Sequence, residues 1–124
     1  MTIKNEIIEL FKSAARTVTV NFREKANQHE AAVLVIDVTA AAATPSVVVT
    51  IKGVDPLSGK RWTILASAAI TGVSTTTLKV GKGLTAAANL VANDVLPPDF
   101  EIEFAHADTD SITYTAALHL ERGG

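Results

Sequence analysis

The chain has no cysteine, a single methionine, a single tryptophan and a single tyrosine among its 124 residues. Without cysteine there is no disulfide framework, no thiolate metal site and no thiol nucleophile. Charged residues are scarce too, 19% against 48% hydrophobic, and aromatics are only 5%, so the apolar content rests on small and β-branched side chains. Such residues suit sheets packed face to face, and the apolar excess places the chain among ordered globular proteins. Its length fits one domain that can bury a core without metal or disulfide support. The formal net charge is −2. With no basic cluster, nothing electrostatic points to a nucleic-acid partner. No segment approaches the ~18 consecutive apolar residues of a membrane helix, so no membrane partner is expected. The opening Met1-Thr2-Ile3-Lys4-Asn5-Glu6 runs into an acid-containing stretch rather than a signal-peptide core, which leads us to expect a protein made or assembled in a cytoplasm.

The clearest pattern in the chain covers residues 44–66. Val47, Val49 and Ile51 alternate with Val48, Thr50 and Lys52, the period of a pleated strand. Asp55-Pro56-Leu57-Ser58-Gly59-Lys60 then supplies a reversal: Pro56 presets φ, Asp55 and Ser58 can bond nearby backbone, and Gly59 accepts positive φ. The return run, residues 61–66, places Trp62, Ile64 and Ala66 on one face, so Trp62 is expected in the core or in an interface.

Other segments alternate in the same way. Residues 16–22 put Val18, Val20 and Phe22 on one face, and the polar stretch 23–30 reads as an exposed loop. Residues 31–39 are nearly all apolar, as in a central strand or one covered by a partner. Residues 73–80 form a threonine-rich strand, residues 84–94 an ordered connection, and Pro97-Pro98 closes it. Residues 99–104 point Phe100, Ile102 and Phe104 inward and Glu101 and Glu103 outward. Residues 111–120 turn Ile112, Tyr114, Ala116, Leu118 and Leu120 inward, with His119 outward. Seven or so short strands predict an all-β fold, an antiparallel β-sandwich of jelly-roll-like or immunoglobulin-like type spanning residues 14–122. Residues 1–13 differ: Ile3, Ile7, Leu10 and Phe11 recur at helical spacing, so this segment is read as a short helix or arm docked on its own domain or on a neighbouring subunit. Residues 123–124 are read as a frayed tail.

No constellation here carries chemistry. His29, His106 and His119 lack ligand-like partners, so no metal is expected. His106-x-Asp108-x-Asp110 reads as a solvated turn, since a calcium loop needs further acids and a defined glycine. Glu101 and Glu103 could mimic a glycosidase pair but are better read as charges guarding a strand edge. Gly81-Lys82-Gly83 is not a phosphate loop, and no serine nucleophile has a nearby histidine. Neither a catalytic residue nor a cofactor is expected.

Residues 52–66, residues 81–97, the turn 106–110 and the strand 111–120 together resemble a group of small virion proteins of tailed bacteriophages, and residues 13–19 fit the same group. Two departures stand out: Pro98, Asp99 and Phe100 occupy a place where the group has a basic residue and a tryptophan, and the segment before Ser13 is longer and more acidic. The resemblance implies a structural protein of the particle, foremost a capsid decoration (cement) protein in the virion that bridges subunits of a major capsid protein. It also implies self-association, with a trimer favoured. A neck or tail subunit is the related alternative, and a carbohydrate-binding or adhesion module comes from a different class. Ile3, Ile7, Leu10, Phe11, Leu34, Ile36 and Leu57 are the interface candidates.

Overall fold

The computed structural model describes residues 5–122. These form nine strands: β1 Glu6–Arg16, β2 Val20–Lys25, β3 Ala31–Ala41, β4 Val47–Val54, β5 Arg61–Ala66, β6 Ser74–Gly81, β7 Val91–Asn93, β8 Asp99–His106 and β9 Ile112–Glu121. They make a five-stranded sheet, order β1-β9-β3-β6-β7, packed on a four-stranded sheet, order β2-β8-β4-β5. All pairs are antiparallel except β6 with β7. The expected all-β sandwich is what the chain forms, and the described residues contain no helix.

Alternation decides which side chains meet between the sheets. Leu34, Ile36 and Val38 from β3, with Leu118 and Leu120 from the neighbouring β9, face Val49 and Ile51 from β4 and Phe100, Ile102 and Phe104 from β8 in one buried cluster. The hairpin of β4 and β5 folds as its turn chemistry dictates. Asp55 and Lys60 close it through a backbone bond of 2.9 Å, and Gly59 takes φ 73°.

The N-terminal segment is a strand of the five-stranded sheet, not a helix or a free arm. Its pairing with β9 slips twice, between Glu9 and Phe11 and between Phe11 and Ala14. Each slip inserts an extra residue and turns the strand over. Ile8, Leu10 and Phe11 consequently all pack on the core, with Leu10 and Phe11 adjacent in sequence as strict alternation would not allow. Phe11 is buried among Phe22, Phe104 and Tyr114, with ring centroids at 5.0, 5.0 and 5.4 Å, and the Arg16 guanidinium covers its ring at 3.8 Å.

Two other boundaries move. The break between β1 and β2 falls at residues 17–19, leaving Val18 exposed rather than inward. β2 continues to Lys25, taking in Arg23 and Lys25 that the sequence had assigned to a loop.

Candidate functional site

The two outer faces of the sandwich differ in chemistry. On the four-stranded sheet, β8 alternates its core residues with Asp99, Glu101 and Glu103, and β2, β4 and β5 bring a cation to each acid. Arg61 Nε donates to Glu101 at 3.0 Å, and Lys52 Nζ to Glu103 at 3.4 Å. Lys25 Nζ donates to Asp99, with Arg23 at 3.7 Å from the same carboxylate. β8 is an inner strand, so these glutamates do not guard an edge; they hold three neighbouring strands through cross-strand pairs. The Glu101 and Glu103 carboxylates face cations, not a cleft.

The outer face of the five-stranded sheet is nearly neutral at its centre. Opposite the buried Leu34 and Ile36, β3 presents Val33 and Val35, half-exposed. Register places Val33 between His119 and Lys79, and Val35 between Ala117 and Thr77. Asp37 ends the row and accepts a 2.8 Å bond from Thr75. Beyond β9, Ile7 of β1 is 71% exposed beside His119. Its charges include Asp37 on β3 itself, Lys79 directly beside Val33 and Lys82 further along the β6 side, and Glu9 and Glu121 on the β1 and β9 side. None of these five belongs to an ion pair among the described residues.

The interface candidates therefore divide. Ile3 lies outside the described residues. Ile7 is exposed, and Leu10 is half-buried against the core. Phe11, Leu34 and Ile36 are buried in the chain's own core and are corrected to structural residues. In β3 the signal separating the two faces was Asp37, which shares its phase with Val33 and Val35 and marks that phase as the outer one. Val33 and Val35 are thus the outward-facing residues of β3, in place of Leu34 and Ile36. Leu57 is 96% exposed at the hairpin tip. Its loop is held by Asp55, whose carboxylate accepts from Ser58 Oγ at 2.7 Å and from the Leu57 amide at 3.1 Å; these bonds keep the Asp55 pKa below its usual range.

The core half of the Trp62 reading is corrected as well. The β4–β5 register slips between Ile51 and Lys52, so Leu65 takes the buried place and Trp62, 47% exposed, lies over Gly53. A Cβ on Gly53 would sit 2.1 Å from the indole, so glycine is what lets the ring lie there.

The histidines stand apart in the fold. His29 is buried, with Nδ1 2.7 Å from the Ala26 carbonyl. His106 Nε2 lies 3.1 Å from the Tyr114 hydroxyl. Burial lowers the His106 pKa, opposed by Asp108 and aided by Arg16; burial also pushes the Tyr114 hydroxyl up to about 12. In the 106–110 turn, Asp108 accepts from the Asp110 amide at 3.0 Å, and Asp110 accepts from the Thr44 amide and hydroxyl at 3.2 Å each, so both acids fasten the loop. Among the described residues no group of three or more His, Asp or Glu could hold a metal ion.

Compared with family models, curated proteins and solved structures, the chain matches none.

Proposed function

We propose that this chain is a structural protein of a tailed-phage particle, acting as a capsid decoration protein that stabilises the head by bridging subunits and performs no reaction. The observation that carries this reading is the contrast between the two faces. One is closed by cross-strand ion pairs, while the other offers Val33, Val35, Ala117 and exposed Ile7 beside charges that form no ion pair among the described residues. Apolar surface of that kind gains by removal from water at roughly 25 cal/mol per Å², which favours a covering partner. The resemblance along residues 52–66 and 81–97 supplies the kind of assembly. Mass spectrometry of heads and tails, purified separately from the phage that encodes the chain, tests it. Abundant recovery in the head fraction is expected. Recovery in the tail fraction alone would give a neck or tail subunit, and absence from both would overturn the reading.

One observation favours a second reading, a carbohydrate-binding module. Trp62 presents an indole half in solvent on a glycine bed, a platform on which a sugar ring can stack. Glycan-array binding that disappears in Trp62→Ala would support it; no binding to any glycan would remove it.

A further inference from the structure

The connection between β1 and β2 is made of residues that do not favour a turn. Thr17, Val18 and Thr19 carry the chain from one sheet to the other, bending at Val18, with no glycine, proline, asparagine or aspartate among them. All three are β-branched, and such side chains favour extended backbone. Local preference and the observed bend therefore disagree, as in a hinge that invites exchange of a segment between copies. The same corner has two further unfavourable features. Val18 is 63% exposed. Arg16 Nη2 donates to the Lys12 carbonyl at 2.6 Å, yet Arg16 Nε is buried without a hydrogen-bond partner among the described residues.

We propose that β1 is exchanged between two copies of this chain: the connection straightens at Thr17 and Val18, and each β1 enters the equivalent groove of the other copy. Thr19 stays with the body, since its Oγ1 accepts from the His106 amide at 3.0 Å.

The groove can take a strand from either copy. β1 is an outer strand that pairs with β9 alone. The rings that surround Phe11 come from Phe22 of β2, Phe104 of β8 and Tyr114 of β9, all of which follow the hinge. A Phe11 from a second copy therefore meets the same three rings. Exchange keeps the β1–β9 ladder and removes the bend; against it stands the lost freedom of a second molecule, which rising concentration offsets. Straightened, residues 6–25 run as one strand, in line with the unbroken alternation of residues 16–22 in the sequence.

Because the chain has no cysteine, an introduced disulfide can report which copy supplies β1. Ile7 and His119 are register partners across β1 and β9, close enough to bridge. The double variant Ile7→Cys, His119→Cys is held at ~1 mM just below its melting midpoint, where mass action favours exchange, and is then oxidised. Interchain bridges, seen as a covalent dimer on a non-reducing gel, are expected in a fraction that grows with concentration. Val33→Cys with Lys79→Cys, partners on β3 and β6 within the body, should bridge only inside one chain. Adding Val18→Gly to the first pair should cut the interchain fraction by about fivefold or more, because glycine accepts the bend and loses the preference for a strand. Wild type gives a readout free of substitutions. Its dimer, isolated at high concentration, should persist for hours after dilution, because reversal requires β1 to leave its groove. The proposal is overturned by intrachain bridges alone in the Ile7–His119 pair, by interchain bridges in both pairs, or by an interchain fraction that Val18→Gly leaves unchanged. A wild type that stays monomeric at ~1 mM, or whose dimer dissociates at once on dilution, overturns it equally. A strand-exchanged chain absent from particles would sink the particle reading and leave this one standing; an unexchanged chain recovered from heads would do the reverse.

Discussion

At the scale of single residues, the positions that matter are those where a side chain occupies space that nothing else can fill. Phe11 is the sharpest case. It touches three aromatic rings and the Arg16 guanidinium, so Phe11→Ala should cost about 3–5 kcal/mol. In a domain of this size that is a fall of more than ~10 °C in melting temperature; a shift under a few degrees would remove Phe11 from the core. Gly53 works in the opposite sense. Gly53→Ala must push the indole off its bed, at about 1–3 kcal/mol, and the fluorescence of the only tryptophan should shift to the red. An unchanged spectrum would show that the ring does not lie there. His106 sets a pH response. Its folded pKa lies below the ordinary 6.5, so the unfolded chain binds the proton more readily and stability falls as pH drops below about 6.5. Thermal melts at pH 7.5 and pH 5 should diverge in wild type and less so in His106→Gln; equal divergence would place the acid sensitivity elsewhere.

At the scale of elements, what could be read from the chain depended on whether alternation ran unbroken. The β4–β5 hairpin was legible because Val47, Val49 and Ile51 keep strict phase and residues 55–60 supply turn chemistry. β8 and β9 were legible for the same reason. β1 was not, since two insertions against β9 break its alternation and bring adjacent Leu10 and Phe11 both onto the core, positions that a helix would also bury together. β7 escaped because three residues in a parallel pair leave no period to detect. For the candidate surface, the apolar run of β3 hid which alternate set faced out. The volume of Leu34 and Ile36 and the phase of Asp37 held that answer. As an integral strand, β1 is needed for folding. Removing residues 1–16 uncovers β9 and empties the aromatic cluster, so the truncated chain should lose cooperative unfolding by circular dichroism. A cooperative melt would make the segment a dispensable arm after all.

At the scale of the whole molecule, the chain passes repeatedly between the two sheets, and its first and last long strands are neighbours. The sandwich class followed from the number of alternating segments, whereas strand order rests on pairings between distant residues that no local pattern encodes. The resulting body is two-sided, with one face held by Asp99, Glu101 and Glu103 among four cations and the other carrying Val33 and Val35 among charges that form no ion pair among the described residues. The working surface should therefore be the second face. Lysine acetylation of intact particles, compared with the isolated chain at high dilution, addresses this most directly. Lys79 and Lys82 should be shielded in the particle, while Lys25 and Lys60 on the other side and at the hairpin tip should react alike in both states. Equal labelling of Lys79 and Lys82 in the two states, or shielding of Lys25 and Lys60 in their place, would contradict an assembly built on the neutral face.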